Sequence, residues 1–361
     1  MKLKLLVIQR VITPYRYQLL SELQPYYNIT IISSFGEKKG SLKLASIPVN
    51  SGINIITLKS LKIRYSGESR STSLFFYPQV VFYINKHDLL LIEGTTNFLN
   101  NLFILPISRL LRKKVIWWDA GYSLPKRSTK RKFIDAVVKP LVMLTQYQIA
   151  YSSSAKKYME DYMGANNCST LINTISTSYF ISKKDFILDS VRNYKPTKNV
   201  IKLLYVGAIE ERKKIKELID VVSELNDETS SHYSLTIIGG GNYLNKIKAY
   251  ISANKSIIST GPIYDLDELS YHYFNADIFV MPGDGGLAIV QALLFGLPAI
   301  CTIADGTETD YLDQKYIFND LTEIKSYLRN FDYPDKLSIV EQSERLHSSS
   351  WVKGFLNMVK E

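Results

Sequence analysis

The sequence predicts an α/β protein with two Rossmann-like domains, each built on a doubly wound parallel sheet. A chain of 361 residues favours two domains, each large enough to form its own core. Short apolar segments alternate with segments of helical periodicity along most of the chain, which is typical of parallel sheets covered by helices on both faces. The hydrophobic content of 46% argues against a disordered protein.

The first half of the chain repeats a pattern of strand, loop and helix. The apolar segment near the start predicts a strand, followed by a loop over 9–15, a helix over 16–23 and a second strand. Further units of the same kind follow over 88–123 and 146–177. These units predict the first parallel sheet.

The domain boundaries follow from composition. Residues 181–199 are largely polar and charged, with Pro196 just before the next apolar segment, and they predict a linker. The two domains are then 1–180 and 200–345, and the serine-rich start of 346–361 predicts a final amphipathic helix.

The most informative segment is 277–302, in which a glycine-rich loop joins a strand to a helix. Ile278 to Met281 predicts a buried strand, residues 282–286 break the regularity, and a helix over 287–295 precedes another strand. Such a loop places backbone N–H groups and a helix N-terminus at the carboxyl edge of a sheet, where they can hold a phosphate. The alternative is that the glycines only make a tight turn.

A basic loop occupies the corresponding place earlier in this domain. Residues 203–206 predict a strand, 207–214 a loop, and Ile215 begins an amphipathic helix. Lys213 therefore follows the first strand of a Rossmann-like half, which favours phosphate binding over a solvated basic turn.

Both segments resemble the corresponding signatures of glycosyltransferase family 4. Pro282, Gly286-Leu287, Ala292 and Gly296-Leu297-Pro298 lie in register with the C-terminal signature. The resemblance extends over nearly the whole chain. It implies the GT-B fold, in which the last helix packs back on the first domain, and retaining sugar transfer from a nucleotide-sugar without a metal or other cofactor.

The sequence departs from the family at two glutamates. Gly283, with Asp284 beside it, occupies the first position, and Gln291 occupies the second. Gln291 would hydrogen-bond the donor ribose, because an amide both donates and accepts. The donor-binding residues that the resemblance implies are Arg212, Lys213, Ile263, Gly283, Asp284, Gly285, Gly286, Leu287 and Gln291.

The first half carries landmarks of the same family. Tyr15 and Arg16, before the first predicted helix, match a Tyr-Arg pair of bacterial members and are predicted to bind the acceptor. Asp119 lies beside Ala120, which stands where such members often carry a histidine. We predict Asp119 either as the catalytic group that orients or deprotonates the acceptor hydroxyl, or as a turn or capping residue only.

Charge is distributed unevenly along the chain. Residues 1–180 contain 24 Lys and Arg and 9 Asp and Glu, whereas 181–361 contain 20 and 25. The basic run 126–132 precedes a segment with apolar residues at helical spacing. This pattern predicts contact of the first domain with an anionic membrane surface, ordinary solvated lysine being the alternative. Nucleic acid is not an expected partner, because no nucleic-acid-binding motif accompanies the charge.

The remaining composition indicates the compartment. Cys168 and Cys301 are far apart and predict buried thiols in a reducing environment. The start of the chain is a poor signal peptide, and no apolar run reaches about 18 residues. We expect a cytoplasmic protein, peripheral on the inner face of a bacterial inner membrane.

The function that the resemblance implies is transfer of a sugar to a glycan acceptor. The resemblance and the charge pattern together imply a lipid-linked acceptor in the assembly of O-antigen or capsule. The alternative is a catalytically degenerate relative that acts as a nucleotide-binding or partner subunit, because the two glutamates and the histidine are replaced.

Overall fold

The computed structural model describes residues 2–34, 52–65, 72–95, 98–121 and 128–360. The chain divides into two compact units. The first unit comprises Met1–Asn173 together with Ser349–Glu361, and the second comprises Thr174–Ser348.

The first unit contains a seven-stranded parallel sheet of order β3-β2-β1-β6-β7-β8-β9 and an antiparallel β4-β5 pair. Its strands are β1 (Leu3–Ile8), β2 (Tyr27–Ser34), β3 (Asn54–Leu58), β4 (Leu61–Tyr65), β5 (Thr72–Phe76), β6 (Leu89–Glu93), β7 (Lys114–Asp119), β8 (Tyr147–Ala150) and β9 (Cys168–Thr170). Its helices are α1 (Pro14–Ser21), α2 (Val81–Ile84), α3 (Asn101–Leu110), α4 (Thr129–Val142) and α5 (Ser153–Met163).

The sheet of the first unit is covered on both faces, as its continuous apolar strands require. Side chains of β1 alternate between two hydrophobic clusters: Leu5 and Val7 belong to one, and Leu6 and Ile8 to the other. The C-terminal helix (Ser348–Lys360) closes the first of these clusters with Trp351 and Phe355, whose rings stack at 5.5 Å.

The second unit contains a six-stranded parallel sheet of order β12-β11-β10-β13-β14-β15. Its strands are β10 (Val200–Val206), β11 (His232–Ile238), β12 (Ile257–Gly261), β13 (Ile278–Met281), β14 (Ala299–Thr302) and β15 (Ile317–Phe318). Its helices are α6 (Ser178–Ser182), α7 (Lys184–Arg192), α8 (Ile215–Glu228), α9 (Leu244–Ala253), α10 (Leu266–Asn275), α11 (Ala288–Leu294), α12 (Glu308–Tyr311), α13 (Leu321–Arg329) and α14 (Lys336–Ser343), and the C-terminal helix is α15.

The predicted fold class is confirmed: both halves are Rossmann-like parallel sheets with helices. Boundaries differ locally. The first helix begins at Pro14 rather than residue 16, because a proline suits the first helical position. The stretch predicted as a linker, 181–199, contains α7, because Ile187 and Val191 recur at helical spacing and are buried in the second unit.

Among the residues that the structure describes, no helix combines the length and the apolar character that a membrane span needs.

Candidate functional site

The strand order of each sheet identifies where a ligand would bind. In open α/β sheets, ligands lie beyond the carboxyl ends of the strands, where the strand order reverses. The reversal falls between β10 and β13 in the second unit and between β1 and β6 in the first. The loops that follow these four strands carry most of the predicted site residues.

Lys213 links the two loops of the second unit. It ends a short 3-10 turn after β10, is 7% exposed, and is followed by Lys214 in the left-handed conformation, with φ of 52°. Its ammonium donates to the carbonyl of Gly285 at 3.0 Å and also to the carbonyl of Asp284. The lysine predicted to bind phosphate therefore also holds the glycine loop after β13.

Close approach of the same two loops explains a departure from the family signature. A Cβ added to Gly283 would lie 2.3 Å from the carbonyl oxygen of Arg212 and 2.7 Å from the carbonyl carbon of Lys213. Contacts this short do not occur, so no side chain fits here without moving the backbone. The close packing of the two loops therefore requires glycine at the position where the family carries its first glutamate.

Arg212 is engaged with carboxylates rather than free. Its Nε donates to Glu210 at 2.7 Å, and its Nη1 donates to Asp284 at 2.8 Å. Both ion pairs are partly exposed and can be exchanged for a ligand oxyanion at modest cost. Asp284 is therefore placed to restrain Arg212.

Burial, and to a smaller extent the neighbouring positive charge of Arg212, lowers the pKa of Lys213 to about 8. Asp284 and Glu210 act in the opposite direction. The charge of Lys213 is therefore sensitive to pH in the neutral to mildly alkaline range.

Gln291 is oriented by a buried tyrosine. Tyr273 of α10 is fully buried, stacks on Phe295 at 4.8 Å, and donates its hydroxyl to Oε1 of Gln291 at 3.0 Å. This contact leaves the amide N–H groups of Gln291 to face other partners. Gly285, Gly286 and Leu287 lead into α11, and half-buried Ile263 follows β12 at the same edge of the sheet.

The first unit has a pocket of about 480 Å³ at its own reversal point. The loops after β1, β6 and β7, the start of α1, and Tyr151 surround it. The residues that line it are Gln9, Arg10, Val11, Thr13, Tyr15, Arg16, Phe75, Glu93, Gly94, Thr95, Trp118, Asp119, Ala120, Gly121 and Tyr151. The predicted acceptor-binding and catalytic residues are thus brought together in one pocket.

Arg16 lies in an aromatic environment. It is 6% exposed, its guanidinium carbon is 3.8 Å from the ring centre of Trp118, and its Nη2 donates to the hydroxyl of Tyr151 at 2.7 Å. Burial opposes the charge, but the phenol groups of Tyr151 and Tyr15 outweigh it and raise the pKa of Arg16. Arg16 therefore stays cationic.

Asp119 ends β7 and serves the local turn. Its carboxylate accepts from Nε1 of Trp117 at 3.0 Å and from the backbone N–H of Gly121 at 3.1 Å. Burial raises the pKa of Asp119 to about 6, although both hydrogen bonds act in the opposite direction. The turn role is therefore present, and the raised pKa suits proton transfer near neutrality as well.

Sequence reasoning missed a charge pair in this pocket. Arg10 donates to Glu93 through its backbone N–H at 2.7 Å, its Nε at 2.9 Å and its Nη2 at 2.6 Å. A signal existed, because each residue directly follows an apolar strand. Their 83-residue separation hid the pairing.

The predicted basic run 126–132 is only partly described. Lys126 and Arg127 lie outside the described residues. Arg131 belongs to a packed cluster, because it donates to Asp135 at 2.8 Å and to the hydroxyl of Tyr158 at 2.9 Å. Arg131 is therefore packed within the first unit, and contact of the run with a membrane stays a prediction.

Comparison with known proteins places these features in a family context. Residues 186–319 match the family described as Glycosyl transferases group 1. An uncharacterized glycosyltransferase of the archaeon Methanocaldococcus jannaschii is 23% identical over 251 residues, which cover 65% of this chain and 63% of that relative. Residues 186–319, in the half of the chain where the sequence predicts the nucleotide-sugar domain, therefore match a glycosyltransferase domain.

Solved structures resemble the whole chain. HepE of Anabaena, crystallised with UDP, superposes with a TM-score of 0.70 at 14% identity and covers 100% of both chains. The lipopolysaccharide outer core galactosyltransferase WaaB superposes with a TM-score of 0.69 at 15% identity and covers 99% of both chains. These likenesses confirm the GT-B fold.

Proposed function

We propose that this chain is a retaining glycosyltransferase that transfers a sugar from a nucleotide-sugar to a glycan acceptor. The observation that carries the proposal is the position of Lys213, a buried cation at the reversal point of the second sheet. The glycosyltransferase domain match over 186–319 includes this position, and the structural neighbour HepE was crystallised with UDP. Retention and independence of metal follow from the resemblance to family 4.

The donor would lie over the loops after β10 and β13. Lys213 and Arg212 would bind the diphosphate, because an ammonium and a guanidinium form strong charge-assisted hydrogen bonds with phosphate. The remaining assignments are Gln291 for the ribose, the Gly285, Gly286 and Leu287 amides for phosphate, Gly283 and Asp284 for the sugar, and the backbone at Ile263 for the base.

The acceptor would occupy the pocket of the first unit. Tyr15 and Arg16 would bind it, and Asp119 would orient or deprotonate its hydroxyl. The pKa of about 6 at Asp119 supports this role, because most of the carboxylate is then ionised at pH 7 and still basic enough to accept a proton.

A panel of nucleotides tests the donor assignment. UDP, GDP, ADP and their sugar conjugates would be screened by thermal shift, since a ligand that binds only the folded state stabilises it by mass action. We expect at least one diphosphate to raise the melting temperature of wild type and not of Lys213→Ala. Stabilisation of both proteins alike would contradict the assignment of Lys213.

The altered glutamate positions favour a second candidate, a catalytically degenerate nucleotide-binding subunit. Gly283 has no room for a side chain, and Gln291 carries no charge. Incubation with the stabilising nucleotide-sugar and a panel of glycan acceptors separates the two functions. Tight binding without transfer, and without slow donor hydrolysis, would support the degenerate subunit.

We also propose that the first unit docks on an anionic membrane and receives a lipid-linked acceptor of bacterial surface polysaccharide. Helices α3 and α4 expose large apolar side chains, including Phe103 (47%) and Phe133 (71%). Lys132 and Lys139 on α4 and Arg109 on α3 add positive charge beside them. Exposed apolar and basic side chains together suit a membrane interface. The cytoplasmic side of the inner membrane would be the place of action.

Vesicle co-sedimentation tests the membrane proposal. Changing Lys126, Arg127, Lys130 and Lys132 to Ser should release most of the protein from anionic vesicles, because each basic residue near the surface contributes roughly 1 kcal/mol. Arg131 is kept because it packs against Asp135.

The matched control for this experiment lies in the second unit. Tyr271→Ser removes a 66% exposed aromatic side chain and should leave sedimentation unchanged. Binding of wild type should weaken at high salt, since exposed charges are screened within about 8 Å at physiological ionic strength. Equal sedimentation of wild type and the four-residue variant would contradict the proposal.

A further inference from the structure

The pocket of the first unit contains a buried arginine, Arg16, without a direct carboxylate partner among the described residues. Arg16 is only 6% exposed. Among the described residues it forms no ion pair with a carboxylate. The groups that act on its charge are the hydroxyls of Tyr151 and Tyr15. A buried, unpaired charge is costly, so the fold tolerates it only where something offsets the cost.

The other arginine of the pocket provides an internal contrast. Arg10 meets Glu93 with its Nε and Nη2 groups, at 2.9 and 2.6 Å from the same carboxylate oxygen. This pair is locally neutral. Arg16 is therefore the arginine of this pocket that has no carboxylate partner among the described residues that line it, because Asp119 accepts from Trp117 and Gly121 instead.

Three residues of the pocket also carry buried polar groups without partners. Within the described part of the chain, Nη1 of Arg16, Oγ1 of Thr13 and Nε1 of Trp118 have no hydrogen-bond partner. All three groups can donate a hydrogen bond, and all three residues line the pocket. Buried donors without acceptors cost free energy, which an acceptor-rich ligand would recover.

The backbone adds to the same preference. Thr13 is the N-cap residue of α1, yet its side chain does not cap the helix, and the first turn contains no acidic residue. The N-terminus of an eight-residue helix carries a partial positive charge and free N–H groups that favour anions. The cation, the side-chain donors and the helix end thus share one preference.

We infer that this pocket binds an oxyanion, a phosphate or carboxylate group of the acceptor, through Arg16, Thr13 and the N-terminus of α1. This inference rests on the proposed function for the identity of the molecule as the acceptor. It narrows the acceptor class to a sugar that carries its anionic group close to the hydroxyl that receives the new sugar, because Asp119 lines the same pocket.

Tryptophan fluorescence gives a specific readout for this site. The chain has three tryptophans, Trp117, Trp118 and Trp351, and all lie in the first unit. Trp118 lies against Arg16 at 3.8 Å. Titration would use inorganic phosphate, D-glucuronate and D-glucose as probes, with sodium chloride at matched ionic strength.

We expect phosphate, glucuronate or both to change the fluorescence of wild type with saturation, and glucose and chloride not to do so. The anion that binds more tightly identifies the acceptor: phosphate indicates a phosphorylated sugar, and glucuronate indicates a uronic acid. Arg16→Gln should weaken the response at least about tenfold, the usual scale for loss of a charge-assisted hydrogen bond. Lys157→Gln, which removes an exposed cation from α5 of the same unit, should leave it unchanged.

A wild-type protein that responds to no anion, or an Arg16→Gln protein that responds like wild type, would overturn the inference. Circular dichroism checks that the variant folds. If it does not, Thr13→Val removes one donor at the pocket edge and should weaken the response several-fold, and an unchanged response would then overturn the inference.

Binding of UDP, GDP and ADP, measured in parallel by calorimetry, separates this inference from the proposed function. Intact nucleotide binding without an anion response rejects the oxyanion site and leaves the transferase proposal standing. An anion response without binding of any nucleotide keeps the site and rejects the transferase.

Discussion

The two units each bury one cation at the reversal point of their sheet, and they treat it differently. Arg16 and Lys213 are almost equally buried, at 6% and 7% exposure. Lys213 is satisfied by the carbonyl of Gly285 and a second backbone carbonyl, whereas Arg16 meets aromatic rings and the hydroxyl of Tyr151. The same strand order therefore supports two kinds of buried cation. Lys213 is bonded to backbone carbonyls, whereas Arg16 keeps one side-chain N–H group, Nη1, without an acceptor in the described part of the chain.

Lysine and arginine respond differently to burial, so the two buried cations should differ in their dependence on pH. A lysine can give up its proton when it is buried, and the pKa of Lys213 falls to about 8. An arginine remains charged, so its cost must be met by contacts. We expect the charge of Lys213 to change with pH near neutrality and the charge of Arg16 to stay constant.

The largest expected effect concerns Asp119, the carboxylate that lines the same pocket as Arg16. Asp119→Asn keeps the size of the side chain and an oxygen for the N–H of Gly121. If Asp119 accepts the acceptor proton, kcat should fall by roughly 10²- to 10⁴-fold. The measurement is kcat and the donor KM of the purified variant against wild type.

The control for Asp119 is the donor site. The donor KM should change little, because Asp119 lies in the first unit. A fall in kcat of less than about threefold would leave Asp119 with its turn role alone, which its bond to Gly121 already shows.

The second effect concerns the internally bonded cation. Lys213→Ala should weaken donor binding by about 1.5–3 kcal/mol, the scale for hydrogen bonds to charged groups. Isothermal titration would measure it. Lys216→Ala, which removes a half-buried lysine paired with Asp220 on α8, is the matched control and should bind normally.

A complication follows from the double role of Lys213. Its bonds to the glycine loop are lost together with its charge, so Lys213→Met is needed to restore the apolar stem. Affinity that recovers fully in the methionine variant would show that packing, and not charge, supports donor binding.

The third effect is a pH dependence that only one of the two cations should show. With a pKa of about 8, Lys213 is mostly cationic at pH 7 and mostly neutral at pH 9. If the diphosphate binds the cationic form and raises its pKa, donor affinity should be nearly flat below pH 8 and fall by about tenfold between pH 7 and 9. A nucleotide-sugar is the suitable ligand, because it lacks the terminal phosphate proton.

Calorimetry at pH 7, 8 and 9 would measure this dependence. The response of the first unit to D-glucuronate, whose charge does not change in this range, should stay constant. A donor affinity that does not change between pH 7 and 9 would mean that Lys213 keeps its proton over this range, because Asp284 and Glu210 raise its pKa.

The sequence was sufficient for the parts of both units that depend on local patterns. Apolar strands, glycine loops and the position of Lys213 could be read directly from the chain. The contact of Arg16 with Tyr151 could not, because 135 residues separate them and only the strand order brings them together. The fit of Gly283 against Arg212 was hidden for the same reason, since it depends on two loops of neighbouring strands.

The smallest effect concerns Gln291, a neutral group beside the charged loop of the second unit. A neutral hydrogen bond contributes about 0.5–1.5 kcal/mol, so Gln291→Ala should raise the donor KM only two- to tenfold. Gln291→Glu should keep substantial activity, because a carboxylate oxygen can still accept from Tyr273 and meet the ribose hydroxyls. Tyr273→Phe is the matched control, since it keeps the stacked ring and removes only the hydroxyl that orients Gln291. A glutamate variant as impaired as the alanine variant would place the ribose contact on another residue of the second unit.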